Sequence, residues 1–240
     1  MKNSSIQLPA QFAMAPMAEI STPALRKCVT SFSNKMILFS EMLSAAAILT
    51  GNHLNIPYIS TYEFDQNYIF QIEGNSPEIM GTACQWLSEK NPLAIDINMG
   101  CPISDITKKG HGSKLLTDIH QASQIIKSCR KKTKPLLSVK LRSGYEKTDL
   151  PYLKTFIAML KDEGVDFITL HPRYAKIYFK RKADWNVIKE ISQNIDIPVF
   201  GNGDIKSAEM AVKNMNDYSC YGIMIGREAI KSPWIFKQCN

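Results

Sequence analysis

One of the six cysteines in this 240-residue chain stands where a thiol could do chemistry. Cys101 lies in Asn98-Met99-Gly100-Cys101-Pro102, where glycine and proline fix a turn directly after an apolar run. An unperturbed thiol has a pKa of about 8.5, so at neutral pH it is mostly protonated. It can then serve as an acid, or as a nucleophile if a base activates it. The other five (Cys28, Cys84, Cys129, Cys220, Cys239) have neither CxxC nor metal-ligand spacing and read as inert thiols. Two glycine-bearing stretches, Gly201-Asn202-Gly203-Asp204 and Gly226-Arg227, suit an anion. Glycines let backbone N–H groups approach phosphate oxygens, a following helix N-terminus adds positive character, and Arg227 could add a two-pronged contact. The same glycines also suit plain tight turns. Lys140 closes an apolar run. Buried, it would neutralise negative charge on a bound ring; solvated, it is an ordinary strand-end lysine. His171 reads as a catalyst or as a satisfied polar residue. Gln71 reads as a partner for an amide-like ring edge or as a cap on the sheet.

Elements that end at these residues must position them. Short apolar runs at 12–15, 37–40, 68–72, 93–97, 136–140, 167–170, 198–200 and 222–225 predict eight strands. Helical patterning falls at 23–32, 77–90, 119–132, 152–163, 185–193 and 208–215, with a further helix expected at 43–49 and another starting near Arg227. Ser76-Pro77 and Ser207-Ala208-Glu209 look like helix starts, and 52–67 reads as irregular. This alternation predicts an α/β protein with a parallel sheet and right-handed crossovers. Eight units match a closed (β/α)8 TIM barrel; an open doubly wound sheet is the alternative. In a TIM barrel the chemistry sits where strands end, and phosphate sits after strands seven and eight.

The length is close to the roughly 250 residues of a TIM barrel, so residues 1–240 are expected to form one domain. Hydrophobic residues make up 45% and charged residues 21%, which excludes a disordered, collagen-like or coiled-coil chain. No run of about 18 apolar residues and no apolar N-terminal signal occur, so the expectation is a cytoplasmic chain with reduced thiols and no membrane anchor. Lys+Arg number 29 against 22 Asp+Glu, a net charge of +7 that is compatible with a polyanionic partner.

These residues resemble the tRNA-dihydrouridine synthase family. The matching stretches run in family order from about residue 10 to 236. They are Ala15-Pro16-Met17-Ala18, Ser40-Glu41-Met42, Gln71-Ile72-Glu73-Gly74 and Ile95-Asp96-Ile97-Asn98-Met99-Gly100-Cys101-Pro102. They continue with Val139-Lys140-Leu141-Arg142, His171-Pro172-Arg173, Asn202-Gly203-Asp204, Met224-Ile225-Gly226-Arg227 and Pro233-Trp234-Ile235-Phe236. The resemblance implies an FMN-dependent reduction of uridine in tRNA to 5,6-dihydrouridine, with NADPH or NADH as reductant. It implies that Pro16, Met17 and Ala18 line the flavin and that Gln71 bonds its ring edge. Lys140 would sit by the N1/C2 carbonyl region and His171 beside flavin or uracil. Asn202, Gly203, Asp204, Gly226 and Arg227 would hold the phosphate end. Asn98 and Arg142 would face the target base, and Cys101 would deliver a proton to C5. Lys108, Lys109, Lys114, Lys176, Lys180, Arg181 and Lys182 would grip the tRNA backbone.

Four departures stand out. Pro172 stands in His171-Pro172-Arg173 where the family commonly has glycine, which is expected to stiffen that loop. Glu19 replaces the glycine usual after Pro-Met-Ala and is expected to place a carboxylate near the flavin mouth. His111 and Ser113 alter the usual small-residue pattern of the loop after Cys101. The family's helical C-terminal domain is expected to be absent or truncated. Two other functions fit the residues: an FMN barrel acting on a small pyrimidine-like substrate, and a truncated flavin- or RNA-binding barrel without turnover.

Overall fold

The computed structural model describes residues 6–240. The first five residues, part of the stretch read above as lacking an export signal, lie outside the described residues. Eight parallel strands follow one another around a barrel: β1 (Phe12–Met14), β2 (Leu38–Ser44), β3 (Tyr68–Glu73), β4 (Ala94–Met99), β5 (Leu136–Arg142), β6 (Phe167–His171), β7 (Val199–Asn202) and β8 (Gly222–Ile225). The seam closes twice. β1 pairs in parallel with β8, and Met14 N–H donates to Ile37 O while Ile37 N–H donates to Phe12 O, each at 2.9 Å. That closure excludes the open doubly wound sheet. Gly222 makes the seam possible, because a Cβ there would lie 2.2 Å from Gln11 O.

Helices cover the outside. Those at Pro23–Thr30, Pro77–Ser88, Ile119–Lys132, Leu150–Asp162, Trp185–Asn194 and Ala208–Asp217 start at Thr22, Ser76, Asp118, Asp149, Asp184 and Ser207. Each of these six side chains accepts a first-turn backbone N–H, so every long helix has a satisfied N-cap. Their inner faces pack on the strands through residues such as Met80, Leu87, Ile125, Phe156 and Ile188, all at most 1% exposed. A separate apolar plug of Ile37, Phe39, Ile69, Ala94, Phe167, Phe200 and Met224 fills the inside of the barrel.

Two expectations need correction. The helix expected at 43–49 is shorter, because Leu43 and Ser44 belong to β2 and only Ala45–Ile48 is helical. A register shift between Phe39 and Met42 lengthens β2, so that Met42, Leu43 and Ser44 partner Gln71, Ile72 and Glu73. Several other strands run one or two residues beyond their apolar runs, taking in Asn98, Met99, Leu141, Arg142, His171 and Asn202. The irregular stretch 52–67 holds only the short turns His53–Asn55 and Ile56–Ile59. It is tied down by the buried Arg26, whose Nε and Nη2 donate to Asp65 at 2.8 and 3.0 Å.

Candidate active site

Side chains alternate along a strand, so residues two apart point to the same side. Gln71, Asp96 and Ser138 are register partners on β3, β4 and β5 and form one row inside the barrel. Two residues further, Asn98, Lys140 and Thr169 form the next row, with Arg142 and His171 above it. A cavity of about 560 Å³ opens over these rows at the C-terminal mouth. Its wall brings together all fourteen residues singled out from sequence. Pro16, Met17 and Ala18 follow β1, Gln71 comes from β3, and Asn98 and Cys101 from the end of β4. Lys140 and Arg142 come from β5 and His171 from β6. Asn202, Gly203 and Asp204 come from the end of β7, and Gly226 and Arg227 from the end of β8.

The β3–β5 side is a chain of hydrogen bonds. Gly100 and Cys101 donate their backbone N–H groups to Asn98 Oδ1 at 3.1 and 2.9 Å. Asn98 Nδ2 donates to Gln71 Oε1 at 2.8 Å, and Gln71 Nε2 donates to Asp96 at 2.7 Å. Ser138 donates to the other Asp96 oxygen at 2.6 Å. Burial pushes the Asp96 carboxyl up to about 6, although Ser138, Gln71 and the Lys140 charge oppose it. The turn that carries Cys101 is thus anchored to the barrel floor. On its other side, Ser113 N–H donates to Cys101 O at 3.0 Å, and His111 Nδ1 meets the Glu73 carboxylate. Burial raises the Cys101 pKa; the Ile103 N–H opposes that rise and the Glu73 charge adds to it.

Lys140 differs from its neighbours. Its ammonium makes no hydrogen bond or ion pair among the described residues, and the Thr169 hydroxyl in the same row is also unpartnered. Burial, aided by the positive charge of Arg142, lowers the Lys140 pKa to about 8, against the opposing pull of Asp96 and Cys101. A half-buried ammonium with no hydrogen-bond partner among the described residues suits an anionic or carbonyl-bearing ligand.

The β6–β8 side is rich in charge. Arg173, only 4% exposed, donates through Nη2 to both Asp204 oxygens at 2.8 and 2.6 Å. Arg227 reaches the same carboxylate at 3.2 Å. Burial alone would raise the Asp204 pKa, but Arg173, the Ala183 N–H and Arg227 outweigh it and hold the carboxyl below its ordinary value. Arg173 Nη1 also sits 3.0 Å from His171 Nε2. A guanidinium can only donate, so Nε2 accepts and the imidazole proton lies on Nδ1. Burial and the surrounding cations Lys140, Arg142, Arg173 and Arg227 push His171 well below its ordinary value, so the ring is neutral. Phe179 hangs over this group, 5.3, 5.4 and 6.0 Å from the guanidinium carbons of Arg227, Arg142 and Arg173. Gly203 has φ +129, and a Cβ there would press on Ala183 and on the His171 ring.

Some sequence readings change. Asp204, read as part of the phosphate end, pairs with Arg173 and Arg227 there. Arg142 donates to Gly100 O, Tyr174 O and Tyr178 O, which leaves its Nη2 without a partner among the described residues. Glu19 is exposed and does not line the cavity; its backbone N–H donates to Glu41 instead. It adopts φ 61, a left-handed conformation that glycine takes without strain. Asp96 and Arg173 were quoted in sequence motifs but not read as site residues. A lone carboxylate within the apolar run Ile95-Asp96-Ile97 was the available signal for the first. Phe179, Tyr178, Lys206 and Lys231 also line the cavity and carried no signal.

Among the described residues, no helix is long and apolar enough to cross a membrane. Among solved structures, a FabK mutant from Thermotoga maritima superposes with a TM-score of 0.54 at 12% identity, over 95% of this chain and 63% of that one. That likeness concerns the fold alone. A protein named "Probable tRNA-dihydrouridine synthase 1" from Synechocystis sp. is 30% identical over 96% of this chain and 64% of its own length. The tRNA-dihydrouridine synthase B of Pasteurella multocida is 31% identical over 99% of this chain and 71% of its own length. The chain therefore spans between 64% and 71% of these two relatives. The family model for dihydrouridine synthase (Dus) matches residues 13–240, nearly the whole barrel and every residue of its mouth discussed above. On that match, the chain belongs to the dihydrouridine synthase family.

Proposed function

We propose that this chain reduces the C5=C6 bond of uridine in tRNA to 5,6-dihydrouridine, using FMN with NADPH or NADH as the source of electrons. The observation that carries this reading is one cavity lined by both a protonated thiol, Cys101, and the half-buried ammonium of Lys140, which has no hydrogen-bond or ion-pair partner among the described residues. The residues present fit a flavin: an unpartnered ammonium for an electron-rich ring edge, apolar walls at Pro16, Met17 and Ala18, and arginines on the phosphate side. When bound, FMN supplies the hydride that adds to C6 of the uracil.

The chain's own groups would do the rest. Lys140 would neutralise negative charge on the reduced ring, and the free N–H of Gln71 would donate to a ring carbonyl. Asn202, Gly203 and Gly226 would cradle the phosphate with Arg227, while Asp204 keeps Arg227 and Arg173 in place. Neutral His171 would donate through Nδ1. Asn98 and Arg142 Nη2 would face the target base. Cys101 would hold its proton at neutral pH, because burial disfavours the thiolate, and would deliver it to C5. The thiolate left behind would regain a proton from water. Getting the base into this cavity requires taking it out of its stack. The exposed Lys108, Lys109, Lys180, Arg181 and Lys182 would hold the adjoining phosphates.

Mass mapping of dihydrouridine in tRNA after incubation with the protein, FMN and NADPH tests the reading. New dihydrouridine is expected with the wild type. In Cys101→Ala, flavin binding should persist while turnover falls roughly 10²–10⁴-fold, the usual worth of a positioned acid. Unchanged turnover in that variant would sink the role of the thiol. Reduction of free uracil but not of tRNA would point to a small-molecule enzyme.

A further inference from the structure

A second cavity, of about 220 Å³, lies beside the first on the same end of the barrel. The two are separated by a single step of chain, since Arg142 lines the large cavity and Ser143 the small one. The loop that begins at Cys101 borders both, ending in the short helix Gly112–Thr117, whose Leu116 and Thr117 line the small cavity. Leu153 and Phe156 contribute apolar side chains, and Tyr145 and Tyr152 contribute aromatic rings. Its size is that of about seven waters, room for one planar ring system.

Positive charge surrounds it. Lys114 and Lys176 place their ammonium groups 4.9 and 5.7 Å from the centre of the Tyr145 ring, and Lys147 is part of the lining. Two carboxylates also line the cavity. Glu146 pairs with Lys176 at 3.4 Å, and Asp149 caps a helix, accepting the Tyr152 N–H at 3.1 Å. Lys114 and Lys147 are therefore the lysines here without an ion pair among the described residues. Aromatic rings flanked by lysines beside a flipped-base pocket are what an unstacked nucleotide needs: a surface for its base and cations for its phosphates.

We propose that this second cavity receives the base of an unpaired nucleotide next to the uridine being reduced. The inference rests on the tRNA reading of the main cavity and adds a binding site to it. Two bases leaving their stack together would be held in adjacent slots, with the chain between Arg142 and Ser143 as the divider.

The test uses a stem-loop RNA carrying 2-aminopurine beside the loop uridine. Binding to the wild type is expected to change the 2-aminopurine fluorescence. Thr117→Trp fills the cavity from its exposed rim and should weaken RNA binding about tenfold and abolish that change. Tyr145→Ala should act likewise, and Tyr145→Phe should restore binding. An abasic site in place of the 2-aminopurine should cost the wild type about tenfold and cost Thr117→Trp nothing further, because the two losses share one contact. Equal affinity and equal fluorescence in wild type and Thr117→Trp would overturn the proposal. A loss of binding in the variants without dihydrouridine formation by the wild type would support the pocket and refute the reaction instead.

Discussion

The β3–β5 half of the barrel mouth and the β6–β8 half use opposite means to the same rigidity. On the first, a run of neutral amides ends on Asp96, whose carboxyl pKa is raised by burial to about 6, and on a thiol kept protonated. On the second, Arg173 and Arg227 share Asp204 as partner and gather around Phe179, which Arg142 reaches from the end of β5. The difference teaches where each kind of group can work. A proton is best held where burial disfavours the charged form, and an anion is best met by cations already held in place. Lys140 stands at the boundary, hydrogen-bonded to neither an amide nor a carboxylate among the described residues and acted on by the Asp96 charge from below.

Replacing Lys140 tests that boundary most severely. Lys140→Met should reduce turnover roughly 10²-fold and weaken flavin binding, as expected for loss of a preorganised charge. The ligand-free protein should behave in the opposite way. Its lysine has a pKa of about 8 in the fold against 10.5 when free, so the wild type gains stability as pH rises between those values. The variant should lack that gain in thermal melts, and a loss of stability at neutral pH in the variant would contradict the picture of an uncompensated cation.

Asp96→Asn probes the neutral half. Asp96 keeps its proton to about pH 6 in the fold, against 3.8 in the free residue. The folded state therefore binds more protons between those values, and wild-type stability should fall as pH rises from about 4 to about 6, by roughly 3 kcal/mol. The variant should show a flatter melting curve against pH over that window. An identical slope would mean that Asp96 is not buried as a carboxylic acid. Arg227→Ala probes the charged half with the smallest effect. Its side chain is 65% exposed, and its loss should weaken flavin binding about tenfold, read by fluorescence titration, without moving the Cys101 pH profile.

Much of this was legible in sequence because a barrel turns strand order into position. The apolar runs located eight strands, and the polar residues just past them marked the mouth. The strand ends were misjudged for the same reason that made them informative. Asn98, Arg142, His171 and Asn202 look like loop residues by polarity, yet they pair in the sheet with side chains at the mouth. β2 was misread because its register shift hides the extra strand residues from any simple period. Asp96 and Arg173 were passed over because their roles depend on partners 25 to 42 residues away, which no local pattern reveals.

The amide chain above Asp96 has a direction. The backbone N–H groups of Gly100 and Cys101 can only give hydrogens, so the Asn98 oxygen must receive them, and Asn98 must then give to Gln71 and Gln71 to Asp96. The Asn98 oxygen is filled by two backbone N–H groups, and the Gln71 oxygen has one lone pair taken by Asn98. What the two amides chiefly offer the cavity is hydrogen. A ring edge bearing carbonyl oxygens finds two donors along this wall, whereas an edge bearing an amino group finds only the second lone pair of the Gln71 oxygen. Two backbone amides in the Cys101 turn thus give the pocket a chemical preference that no single side chain in it could enforce.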